Sequence, residues 1–95
     1  MNKSIISNVK ECYVCKNPEN LHRHHTIYGR GRRAQSEKYG CWVWLCPYHH
    51  DMSDLGVHNK NKALDKELKE ISQQRWEEIY GSREQFIEIF GKSYL

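Results

Sequence analysis

Two pairs of metal-ligating side chains, each with a two-residue gap, constrain this chain more than any other feature: Cys12-x-x-Cys15 and Cys46-x-x-His49. A tetrahedral zinc takes four thiolate or imidazole ligands, and the tight turn of a Cys-x-x-Cys knuckle aims two sulfurs at one point. If Cys46 and His49 lie in the first turn of a helix, their three-residue separation puts them on one face, where they supply the other two ligands. Together the four predict a structural zinc; the alternative is a set of reduced, buried thiols or an adventitious disulfide. A chain of 95 residues buries a modest core, so such a staple bears directly on its stability. Cys41 sits in an apolar stretch and reads as a small core residue rather than a ligand. The segment MNKSIISNVK has no apolar run suited to a signal peptide, and no stretch is long enough to span a membrane. The expected setting is cytoplasmic, where thiols stay reduced and paired cysteines hold metal.

The rest of the chain reads as a small α+β domain. Residues 1–10 are expected to be a flexible leader, residues 11–58 the core, and residues 59–95 a pair of helices packed on it. A turn at Asn17-Pro18 leads to a short strand around Leu21–His24. The stretch YGRGRRAQSEKYG, rich in Gly, Arg and polar residues, reads as an exposed, mobile loop. CWVWL is a second strand, apolar on both faces and therefore covered on both. Pro47 suits the first turn of a helix, and Gly56 ends or bends that helix. Leu64, Leu68, Ile71, Trp76, Ile79 and Tyr80 recur at helical spacing from about Asn61 to Tyr80. After Gly81, the capping box Ser82–Gln85 starts another helix with Phe86, Ile87 and Phe90 on one side and Gly91 as its cap. Trp42 and Trp44 share a strand face. They are expected to pack on the C-terminal helices through Trp76, Ile79 and Phe86, with stacking on nucleic-acid bases as the alternative.

His50 follows His49 directly, and neighbours on a helix point about 100° apart. If His49 turns to the zinc, His50 faces elsewhere, toward the pair His24-His25. Adjacent residues on a strand point to opposite faces, so one of that pair can bind metal while the other acts on water, provided they lie at a strand end or in a distorted turn. The competing reading is that His22, His24 and His25 decorate a basic surface. The net charge of +3 is uneven: residues 1–58 carry eight Lys/Arg against five Asp/Glu, and residues 59–95 seven of each. Arg23, Arg30, Arg32 and Arg33 fall in a stretch without acids, which suits a phosphate backbone or simply a solvated loop.

Cys12-x-x-Cys15, His24-His25 and Cys46-x-x-His49-His50 together resemble the HNH endonuclease motif of the ββα-metal superfamily. More narrowly, the chain looks like small HNH-type proteins encoded by phages of Gram-positive bacteria. The motif covers residues 12–50, and GVHNK and the tail look similar too. The resemblance implies a zinc-stapled, treble-clef-like ββα-metal core followed by two helices. It implies an endonuclease that nicks or cleaves DNA with one divalent metal: Mn, Mg, Ni or Zn. By position, His24 and His50 fall on the catalytic-metal ligands, His25 on the general base, and Cys46 and His49 on the second zinc pair, with His in place of the more usual Cys. The third ligand of the catalytic metal is Asp54 or His58; His58 is favoured, because GVH recurs in the phage proteins. Arg23, Arg30, Arg32 and Arg33 would contact DNA. Other phage replication, recombination or packaging proteins are further candidate partners. One position departs from the pattern: Cys41 stands where the family has the Asn that braces the loop orienting the histidine base. The alternative is therefore a non-catalytic, zinc-containing DNA-binding accessory protein. A third reading is an adaptor built on the C-terminal helices.

Overall fold

Backbone pairing of the two histidine- and tryptophan-bearing segments sets the frame of the molecule. In the computed structural model, which describes residues 3–29, 31–50, 56–58 and 60–95, strand β1 (His22–His25) runs antiparallel to β2 (Trp42–Leu45). The register pairs His22 with Leu45, Arg23 with Trp44, His24 with Val43 and His25 with Trp42. Residues opposite one another in such a ladder share a face. One face therefore presents His22, His24, Val43 and Leu45, and the other presents Arg23, His25, Trp42 and Trp44.

The first face rests on a core of Cys12, Val43, Leu45, Cys46, Val57, Leu64 and Leu68, all buried. A second core gathers Ile27, Cys41, Trp76, Phe86 and Phe90. Helix α3 (Lys62–Ile79) spans both, contributing Leu64 and Leu68 to one and Trp76 to the other. It is capped by Asn61, whose side chain accepts from the Leu64 N–H. Helix α4 (Arg83–Phe90) starts on the Ser82/Gln85 capping box and ends at Gly91, which has a left-handed φ of 97°. The short helix α2 (Pro47–His50) follows β2 immediately. The result is a small, compact α+β unit with a two-stranded sheet and several helices. Among the described residues no helix is long and apolar enough to cross a membrane.

Three expectations are corrected. The polar stretch expected to be a mobile loop contains helix α1 (Arg32–Tyr39). It carries no apolar stripe, and tertiary contacts hold it instead: buried Ser36 donates to the Ile27 carbonyl, and Gly40 closes its C-terminus in the left-handed region. The leader is fastened from Lys3 onward. The Ile5 N–H donates to Gly40 O at 2.9 Å, the Ser4 hydroxyl donates to Trp42 O, and Ile5 and Ile6 pack on the two cores. Gly40 is required twice over, because its φ is 77° and a Cβ there would collide with the Lys3 carbonyl. Finally, Trp42 and Trp44 are not part of the core that gathers Trp76 and Phe86. They lie beneath Arg23 and the leader, while Ile79 and Ile87 remain exposed.

Candidate functional site

The knuckle is built by backbone geometry. The Cys12 N–H donates to Asn17 O, the Lys16 N–H donates back to Cys12 O, and Lys16 takes a left-handed φ of 67° to close the turn. The Tyr13 N–H donates to Trp44 O at 2.8 Å, which docks the knuckle on β2. Cys46 sits at the start of α2, where its carbonyl accepts from the N–H groups of His49 and His50.

These elements bring Cys12, Cys15, Cys46 and His49 together, with one ligand atom from each lying within 4.8 Å of the others. Cys15 Sγ and Cys46 Sγ are 3.7 Å apart; His49 Nδ1 is 3.7 Å from Cys12 Sγ and 3.1 Å from Cys46 Sγ. A tetrahedral zinc sets roughly 3.8 Å between two sulfurs and roughly 3.5 Å between sulfur and nitrogen. All four cysteines of the chain are unbridged, and 3.7 Å is far beyond a disulfide bond. The donor set and its spacing thus fit a metal ion such as zinc. Electrostatics agree. Burial pushes the Cys12 thiol up, but N–H donors from Cys15, Cys46 and Val14 outweigh it and bring it down to about 6. Burial holds Cys46 up, as do hydrogen bonds to Cys15 and Cys12 and the nearby Cys12 charge. A thiol drawn down at Cys12 beside one held up at Cys46 is an imbalance that a cation would relax. Cys41 lies outside this group, fully buried, with burial alone pushing its thiol to about 12, as befits an inert core residue.

His50 turns away from its neighbour. Together with His24 and His58 it forms a second group, again with ligand atoms within 4.8 Å of one another. The return of residues 57–58 to α2 makes this possible: the Val57 N–H donates to His49 O and the His58 N–H to His50 O. His50 Nε2 then lies 3.1 Å from His58 Nε2, a spacing that suits two imidazoles on one ion. His24 is 2% exposed, and among the described residues its Nε2 is enclosed without a hydrogen-bond partner. Burial first, then the neighbouring His58 and His50, depress its pKa to about 3, so the ring is neutral at physiological pH. A buried, neutral, unpartnered imidazole nitrogen facing two others is an unsatisfied donor set. Asp54, the rival third ligand, lies outside the described residues.

His25 projects from the opposite face of β1, yet the edge of this narrow sheet opens both faces to one cavity. It has about 230 Å³ and is lined by His24, His25, His50 and His58 with Arg23, Arg33 and Tyr28. His25 Nε2 lies 2.9 Å from Glu37 Oε1. The Glu37 carboxyl is held below its usual range, first by the His25 hydrogen bond and then by Arg23, so it is an ionised acceptor. The His25 Nε2 therefore carries the proton and donates it, leaving Nδ1 as the basic nitrogen.

The four arginines separate. Arg23 donates to both Glu37 oxygens, at 3.0 and 2.9 Å, and lines the cavity, as does Arg33. Arg32 instead turns to the C-terminal end of α4, where it donates to Ile89 O. Arg30 lies outside the described residues.

Three participants are not visible in the sequence. Glu37 lies on a helix whose composition is that of a loop. His22, itself exposed, places Nδ1 3.0 Å from His50 Nδ1, which orients the ring whose Nε2 faces the cluster. Thr26 braces the loop after His25: its N–H and hydroxyl both donate to Cys41 O, each at 3.0 Å, and the hydroxyl also meets buried Ser72.

Fold and site define the class: a small α+β protein with a cysteine/histidine cluster that could hold a metal ion. No family model matches the chain, nor does any curated protein or solved structure.

Proposed function

We propose that this chain is a metal-dependent endonuclease of the ββα-metal type that hydrolyses phosphodiester bonds in DNA. One observation carries the reading: His24, His25 and His50, expected from the sequence to serve one reaction, line a single cavity with two arginines. Cys12, Cys15, Cys46 and His49, whose ligand atoms lie within 4.8 Å of one another, would hold a structural zinc. His24, His50 and His58 would hold the working divalent ion, which would supply Lewis-acid polarisation of the phosphate and stabilisation of the leaving oxygen. Imidazole ligands suit Mn, Ni or Zn better than Mg. His25 Nδ1 takes the proton of the attacking water, and Glu37 holds the ring and stabilises the imidazolium that forms. Arg33 and Arg23 offer planar donors to phosphate oxygens.

The resemblance expects an Asn at position 41 to brace the loop after the base. Here Thr26, bonded through the Cys41 carbonyl, and Ser36, bonded to Ile27 O, fasten that loop by other side chains. These bonds support the nuclease reading over that of a non-catalytic accessory protein.

The test is relaxation of supercoiled plasmid by zinc-loaded protein with Mn²⁺, Mg²⁺ or Ni²⁺. Wild type nicks, and His25→Ala abolishes nicking with zinc content unchanged. DNA binding without cleavage under every metal would establish the accessory-protein reading instead.

A further inference from the structure

A second cavity is larger than the histidine pocket: a groove of about 440 Å³ on the other face of the sheet, lined chiefly by Lys3, Ser7, Lys10, Arg23, Trp42 and Trp44. No carboxylate lines it among the described residues. Trp42 is 6% exposed and forms the floor, with the Arg23 guanidinium 3.9 Å above its ring centre. Trp44 is only partly buried and meets Trp42 edge-on, their ring centres 5.3 Å apart. Its exposed part is shaded by Lys10, whose ammonium stands 5.1 Å from the ring centre. Lys3 and Lys10 are themselves exposed, on flexible stems. Arg23 lines both this groove and the histidine cavity, so the two are neighbours on either side of its side chain.

We propose that this groove is a binding site for an unpaired nucleotide of the substrate strand: its base lies on Trp44 and its phosphates meet Lys3 and Lys10. The proposal rests on the nuclease reading and names its substrate class, a nucleic acid with a single-stranded stretch beside the cut. Three features point to this occupant. Lys10 and Arg23 lie over the Trp44 ring, 5.1 and 5.4 Å from its centre, and with the flexible Lys10 swung aside onto a phosphate the indole takes any base by stacking. The lining offers only positive charge, complementary to a sugar–phosphate chain. Arg23, clamped by Glu37 and seated on Trp42, is a fixed post between the groove and the cavity where hydrolysis would occur. A base inside a duplex is stacked on its neighbours and cannot reach Trp44, so paired DNA engages only the lysines.

The experiment is direct binding, separate from cleavage. Full-length, zinc-loaded protein without other added metal is titrated with fluorescent twelve-nucleotide oligo(dT), and with a duplex of the same length. Anisotropy reports affinity, and a gel shows the oligonucleotide intact. Trp44→Leu should weaken oligo(dT) binding roughly 5- to 150-fold, the loss of one stacked base. It should leave duplex binding within about twofold, where no base stacks on Trp44. Trp44→Phe, which keeps an aromatic face, should retain most of the affinity. Lys3→Gln with Lys10→Gln should reduce the steepness of the salt dependence by roughly 1.4, about 0.7 for each phosphate that is no longer neutralised. Equal oligo(dT) binding by wild type and Trp44→Leu overturns the proposal, as does tighter binding to the duplex. An acidic peptide competing as well as oligo(dT) also overturns it. If Trp44→Leu fails to fold, the wild-type preference for oligo(dT) over the duplex and the salt dependence of the lysine variant decide: tighter duplex binding, or an unchanged salt slope, overturns the proposal. A protein that binds oligo(dT) through Trp44 but never nicks plasmid has lost the nuclease reading, not the groove.

Discussion

Glu37→Gln isolates the pair on which the proposed chemistry turns. In the wild type, Glu37 Oε1 accepts from His25 Nε2 at 2.9 Å, while both carboxylate oxygens accept from Arg23. The glutamine is nearly isosteric but uncharged. Its amide oxygen can still accept from Nε2–H, and turned over, its NH2 forces the proton onto Nδ1 and disables the base. General-base catalysis contributes roughly 10²- to 10⁴-fold, which sets the ceiling. Part of the correct tautomer survives in the glutamine variant, so kcat should fall about 10- to 100-fold, or about 1.4–2.7 kcal/mol of barrier. The Glu37 side chain is 36% exposed, so solvent screens its pairing with Arg23 and stability should change by about 1 kcal/mol or less. Removing a negative charge from the rim of a DNA-binding cavity should leave KM unchanged or lower it. Initial rates of nicking across plasmid concentrations separate the two parameters. Glu37→Gln within twofold of wild-type kcat, in a preparation where His25→Ala is inactive, would refute the positioning role.

Other outcomes follow from the same geometry. Cys12→Ser removes a buried ligand whose metal binding is folding free energy, so the variant should lose zinc and its cooperative melting transition by circular dichroism. Thr26→Val deletes a buried hydroxyl that donates to Cys41 O and contacts Ser72. It should cost about 1–3 kcal/mol, a Tm drop of roughly 5–20 °C by calorimetry, and lower nicking with it. The Glu37 carboxyl is depressed below 4.5 in the folded protein, so its stabilisation is complete above that value and disappears as pH falls through the lower folded value. Melts of wild type and Glu37→Gln should therefore converge as pH drops below about 4.5, and a constant gap would contradict the pairing.

How much is legible in the sequence depends on how local each cause is. The cysteine/histidine cluster is chemistry at fixed spacing, so Cys12, Cys15, Cys46 and His49 can be grouped by counting. The caps of α3 and α4 are likewise local, with Asn61 and Ser82 each bonding three residues ahead. The separation of His49 from His50 follows from helix geometry alone. Helix α1 is not legible, because Arg32–Tyr39 has no apolar periodicity and depends on Ser36 reaching Ile27 and on Arg32 reaching α4. That hides Glu37, whose meaning comes only from its distance to His25. The face chosen by Trp42 and Trp44 is equally hidden. Alternation says that the two share a side, but not that the leader, rather than the C-terminal helices, lies over it. His58 is one of two candidates on spacing; backbone bonds from residues 57 and 58 to α2 bring it over His50.

In the function proposed for this chain, adjacent histidines on α2 serve two ions of different character. Cobalt(II) titration of metal-free protein distinguishes the two sites, because thiolate ligation produces an intense near-ultraviolet charge-transfer band and an all-imidazole site does not. Wild type should take up two equivalents, with the thiolate band complete at the first. His50→Ala should bind one equivalent with that band intact, while His49→Ala should weaken the band and keep the second, imidazole site once folded. A single equivalent in wild type, or loss of the thiolate band in His50→Ala, would show that the two histidines do not divide between separate ions.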